Sequence, residues 1–72
     1  MSDAMYIRTV LFDNRLPQKW LISKLEQNGI STDKTELSSV LAERRKGPKA
    51  KRILAVSWQI LNDNGYQINR TR

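Results

Sequence analysis

Two groups of residues have types and spacings suited to chemistry. The first is ERRKGPKAKR, residues 43–52, with six Lys and Arg and one Glu. The whole chain carries 13 Lys and Arg against 7 Asp and Glu, so the remainder has seven basic and six acidic residues and is almost neutral. Nearly all of the net charge of +6 therefore sits in one place. A stretch of this kind neutralises polyanions, and a pI near 10.2 makes nucleic acid the simplest partner. The plainer reading is a solvated linker that keeps a small protein soluble; the concentration of the charge argues against it. The second group is the set of short side chains just upstream: Thr35, Ser38, Ser39 and Ala42, with Asp33 and Lys34 before them. Hydroxyls of Ser and Thr bond base edges in a major groove, and Ala or a Thr methyl touches the thymine methyl. Their plainer reading is a neutral polar surface.

Other chemistries lack their residues. There is no Cys and no His, which removes disulfides, thiolate metal sites and the commonest general base and zinc ligand. None of the seven carboxylates forms a close pair with metal-like or acid/base spacing, and no glycine loop of phosphate-cradling type is present. The expectation is a protein that is not an enzyme and needs no cofactor and no metal. No apolar run approaches the roughly 18 residues of a membrane span, and MSDAMYIR is unlike a signal peptide. A cytoplasmic protein associated with the nucleoid is expected.

The elements that must position these groups are short helices. Seventy-two residues make one domain at most. Ile7, Val10 and Leu11, with Phe12 as a flank, form a stripe that predicts a helix over 4–14. Tyr6 to Val10 also alternates, so a strand there is the alternative. Pro17 restarts the chain, and Leu21, Ile22 and Leu25 predict a helix over 17–28, ended by Asn28-Gly29. Thr32 or Asp33 suits the next N-cap; with Asp33 in that role, Glu36 falls three residues on, as in a capping box. Leu37, Val40 and Leu41 then predict a helix over 33–45, stopped by Gly47-Pro48. Ile53, Val56, Ile60 and Leu61, flanked by Leu54 and Trp58, predict a fourth helix over 48–63. Trp20 and Trp58 are read as core or dimer-interface residues rather than base-stacking platforms. The expected fold is all-α, a small bundle of four helices. The expected organisation is a domain over 1–65 and a flexible tail over 66–72, with Tyr66 and Ile68 able to tuck back.

On the third helix the side opposite Leu37 holds Thr35, Ser39 and Ala42, flanked by Lys34, Ser38 and Glu43. Short side chains let a helix approach a surface closely. The second and third helices, joined by a tight turn, are the size of a helix-turn-helix, and the basic stretch begins where the third ends.

At these residues the chain resembles a family. LPQKWLISKL is similar to the opening of the second helix in phage Cro and CI-type repressors, Gly29-Ile30-Ser31 to their turn, Leu37-Ser38 to a step inside their recognition helix, and ERRKGPKAK to the basic loop after it. The chain departs from the pattern at Ile22, where the family has a small residue, and in longer segments from Gln18 to Gly29 and from Gly29 to Leu37. The resemblance implies a lambda-repressor-like helix-turn-helix regulator, most simply a repressor from a phage or mobile element. It implies that residues 33–45 enter the major groove, with Asp33, Lys34, Thr35, Ser38, Ser39 and Ala42 toward bases. Gln18, Lys19, Arg44, Arg45, Lys46, Lys49 and Lys51 would contact phosphates, and Gln18 would also buttress the reading helix. The partner is then a double-stranded DNA operator, bound by a homodimer. The alternative is a small helical protein whose basic face docks an acidic protein.

Overall fold

The structure is a computed structural model that describes residues 2–66. Its elements are α1 (Asp3–Asp13), α2 (Gln18–Gln27), α3 (Lys34–Leu41) and α4 (Pro48–Asp63), with no strand among the described residues. The four-helix, all-α expectation holds, and the Tyr6–Val10 segment is helical. Each start has a local cause. Ser2 caps α1 by accepting the Met5 N–H, and Asp33 caps α3 by accepting the Glu36 N–H at 2.7 Å. Pro48 is the first residue of α4, while Pro17 stands one place before α2 as its cap.

The helix ends show a regularity. LFDNRL (11–16), LEQNGI (25–30) and LNDNGY (61–66) stop α1, α2 and α4 in the same way. In each, the fifth residue is left-handed: Arg15 (φ 55°), Gly29 (φ 84°) and Gly65 (φ 79°). In each, the sixth residue returns its N–H to the carbonyl of the leading Leu, at 2.8 or 2.9 Å. This is the Schellman arrangement, which satisfies carbonyls that a helix end leaves bare. The Asn at the fourth place adds a bond of its own. Asn14, Asn28 and Asn64 donate Nδ2 to the carbonyls of Val10, Lys24 and Ile60, at 2.8 to 2.9 Å. The sixth residue is apolar each time, so Leu16, Ile30 and Tyr66 lead the chain back onto the core.

Helix α3 ends with the same backbone bonds but without those residues. Its stop is SVLAER (39–44), with Glu43 left-handed at φ 63° and the Arg44 N–H on the Ser39 carbonyl at 2.8 Å. The residue that returns elsewhere to the core is here an exposed arginine. Helix α3 therefore stops at Leu41, not at residue 45 as expected, and residues 42–47 form a loop. Helix formers alone would carry the chain on through Arg45. Tertiary packing overrides them, because α4 must turn back to place Ala50 and Ile53 in the core.

All four helices contribute to that core. Ile7, Leu21, Leu25, Leu37, Ile53 and Leu61 are fully buried at its centre, with Val10, Val40 and Leu41 beside them. Three positions differ from the sequence pattern. Val56 is half-buried and Ser57 takes the buried place on α4, while Phe12 lies 84% exposed. Trp20 packs against the core with Tyr66 edge-on at 5.7 Å. Tyr66 thus belongs to the folded unit rather than to a loose tail; Ile68 and the rest of the expected tail lie outside the described residues.

Candidate nucleic-acid interface

The outward side of α3 carries the short side chains that its sequence promised. Lys34 and Thr35 are exposed, Ser38 and Ser39 are half-buried, and Ala42 is exposed one place beyond the helix. Two of these groups are already engaged. Asp33 spends one carboxylate oxygen on its capping bond. Ser38 donates its hydroxyl to Gln18 Oε1 at 2.8 Å, which joins the first residue of α2 to the middle of α3. Ser38 is thus a brace between the two helices, and Thr35 and Ser39 are left as the presented hydroxyls. Lys19 stands exposed beside Gln18.

Beside this surface runs the cationic loop. Arg44, Arg45, Lys46, Lys49, Lys51 and Arg52 are all exposed. Arg44 to Lys46 lie on the loop rather than on the end of α3, contrary to expectation, because the left-handed Glu43 has already turned the chain. Lys49, Lys51 and Arg52 occupy the beginning of α4, which has no acidic residue in its first turn and no side-chain cap. A helix N-terminus carries a partial positive charge and unpaired N–H groups, so lysines there oppose the helix dipole. Cations placed against that gradient weaken the helix locally and deepen a positive region suited to anions.

One carboxylate interrupts this region. Glu36 Oε1 accepts the Thr32 hydroxyl at 2.6 Å and lies 3.1 Å from Lys49 Nζ. Its Oε2 lies 3.6 Å from Arg45 Nη1. The Thr32 hydrogen bond foremost, and then that of Lys49, hold the Glu36 carboxyl below its ordinary value of 4.5 against desolvation, with the charge of Arg45 a lesser help. The Glu36 side chain is thus engaged elsewhere than the capping-box spacing implied: it ties the first turn of α3 to the loop and to α4. Were α3 helical to residue 45, nine residues would separate Arg45 from Glu36 by about 13 Å along the axis, beyond ion-pair reach. The early stop of α3 is what lets the loop fold back beside its first turn. A shallow hollow lined by Glu36, Val40, Arg45, Lys46, Pro48 and Ala50 results.

The fold thus gathers Gln18, Ser38, Thr35 and Ser39 on the α2–α3 pair and sets the cations next to them. Sequence reasoning does not find Thr32 and Glu36 as a bridge to the loop. The spacing of Thr32 and Glu36 gives one hint, but Lys49 is remote in sequence from both. Among the described residues, three large apolar side chains also stand out of the surface: Met5 (41%), Phe12 (84%) and Trp58 (43%), the last stacked on Tyr6 at 4.1 Å. No helix among the described residues is long and apolar enough to cross a membrane. Comparison of the chain with protein-family models, with curated proteins and with solved structures finds no match.

Proposed function

We propose that this chain is a sequence-specific double-stranded DNA-binding regulator, most simply a repressor that occupies an operator. Helix α3 enters the major groove; Thr35 and Ser39, with Lys34, Asp33 and Ala42 around them, meet base edges. Arg44, Arg45 and Lys46 on the loop, and Lys49 and Lys51 at the start of α4, lie along the phosphates, with Gln18 and Lys19 contacting the backbone from α2. The observation that supports this reading most is the juxtaposition of a helix face of short hydroxyl side chains with six exposed cations on the adjoining loop and helix start. Phosphate contacts then fix register while α3 selects sequence.

Two copies on one site would read a pseudo-palindrome with half-sites roughly 34 Å apart. The exposed Trp58 on α4 and the outer line of α1 are available for that pairing. Met5, Thr9 and Phe12 follow one another on α1 at i, i+4 and i+7, and the Thr9 hydroxyl donates to the Met5 carbonyl at 2.8 Å.

Selection from a random duplex pool tests the reading. A defined motif with two related halves is expected, and log K should fall steeply with log[salt], at a slope near −5 if about six phosphates are neutralised. Lys46→Ala and Lys49→Ala should weaken binding to every sequence and flatten that slope. Thr35→Ala and Ser39→Ala should change the preferred bases, by about 1–3 kcal/mol for each good base-edge hydrogen bond removed. Uniform weakening by both kinds of change would refute direct readout by α3. No motif, together with a protein recovered in a pull-down after nuclease treatment, would favour an acidic protein partner instead.

A further inference from the structure

Among the described residues, Arg45 on the loop and Lys49 at the start of α4 are the two cations that already face an anion. We propose that Glu36 is an internal competitor for phosphate: its carboxylate occupies Lys49 and Arg45 in the free protein, is displaced from them by a polyanion backbone, and so lowers the affinity and salt sensitivity of the loop. In its DNA form this rests on the reading above, and it deepens that reading by naming how the cationic loop is restrained.

The geometry separates a fixed partner from movable ones. Glu36 has a side chain only 18% exposed, sits in the first turn of α3 and is held by the Thr32 hydroxyl at 2.6 Å. Lys49 and Arg45 have side chains 55% and 56% exposed, on long flexible stems. When a phosphate approaches, the cations can swing out while the carboxylate stays. The pairings suit displacement. The Lys49 pair at 3.1 Å is a charge-assisted hydrogen bond, whereas the Arg45 pair at 3.6 Å lies outside hydrogen-bond range. Solvent-exposed pairs of this sort are weak and screened by salt. A nucleic acid presents a dense line of charge and gains from counterion release, so it wins the exchange at a moderate cost in affinity.

The test measures the protein on two probes: a heparin column eluted with salt, and duplex DNA titrated across ionic strength. Glu36→Gln keeps an acceptor for Thr32 but frees both cations. It should elute from heparin at higher salt than the unmodified protein and bind duplex about threefold to tenfold more tightly. Its log–log salt slope should also be steeper, because only the unmodified protein must break an internal ion pair that salt itself screens. Glu43→Gln removes the same charge from the edge of the loop, outside the Glu36 cluster, and reports what net charge alone does. Glu36→Asp keeps a charge in the first turn of α3 but draws it back by one methylene, and should give a partial gain. In a Lys49→Gln, Arg45→Gln background, Glu36→Gln should change neither probe beyond the Glu43→Gln control. Equal shifts for Glu36→Gln and Glu43→Gln, or no gain for either Glu36 variant with the helical content intact, would overturn the proposal. A heparin effect without duplex binding would leave the internal competitor standing and remove DNA as the ligand. Duplex binding with a motif, and no Glu36 effect on either probe, would do the reverse.

Discussion

Replacing Ser57 with Ala should make this protein more stable, although Ser57 is among its most deeply buried residues. Ser57 is 0% exposed and its Oγ has no hydrogen-bond partner among the described residues. A buried hydroxyl left unpaired costs about 1–3 kcal/mol relative to one solvated in the unfolded chain. Ser57 also lies in the middle of α4, where Ala is the better helix former by about 0.5 kcal/mol. Against this stands the loss of one oxygen's volume, on the order of 10 Å³, worth about 0.3 kcal/mol of cavity. The balance is a gain of about 1–3 kcal/mol. In a domain of this size each kcal/mol moves the midpoint by about 4–8 °C, so thermal unfolding followed by circular dichroism should show a rise of about 5–20 °C. Ser57→Thr would push an extra methyl into a filled site and should lower the midpoint. An unchanged or lower midpoint for Ser57→Ala would refute the reasoning. It would mean that the hydroxyl finds a partner in solution, such as the Ile53 carbonyl one turn earlier.

Two further outcomes follow from the loop and its carboxylate. Glu43→Gly should raise stability by about 0.5–1 kcal/mol in a denaturant titration, because the left-handed φ of 63° suits glycine. The pH dependence of stability should carry a contribution from Glu36. Its folded pKa is lowered, chiefly by Thr32 and then by Lys49, so the contribution is complete above the ordinary glutamate value of 4.5. It disappears as pH falls through the lowered folded value. Acid titrations of unmodified protein and Glu36→Gln should therefore converge at low pH, diverge as pH rises through the lowered folded value, and keep a constant gap above about 4.5; parallel curves throughout would show that these interactions do not form.

Much of the fold was legible because apolar spacing and stop residues act locally. Ile7, Val10 and Leu11, and Leu37, Val40 and Leu41, mark stripes that the structure buries. Asn28-Gly29 and Asn64-Gly65 end helices by their own chemistry. Ser57 was not legible, because a polar residue within an apolar stripe carries no mark of burial, and apolar spacing alone points to Val56. Asn14-Arg15 belongs with the two Asn-Gly stops, but an arginine hides the left-handed turn that glycine advertises.

The candidate interface divides in the same way. Its ingredients, the hydroxyl-bearing face of residues 33–42 and the charge of residues 43–52, are plain in the chain. Their arrangement is not. Ala-Glu-Arg-Arg-Lys favours continuing the helix, and only the need to return Ala50 and Ile53 to the core makes Glu43 turn. That turn sets Lys49 and Arg45 against Glu36, and docking of α2 on α3 sets Gln18 against Ser38. The sequence by itself determined four helices, their buried stripes and one cationic segment, because propensity, capping and periodicity operate within a few residues. Where α3 stops, and which cations are held by a carboxylate, was decided by tertiary structure alone, because both depend on burying apolar side chains that lie far apart in the chain.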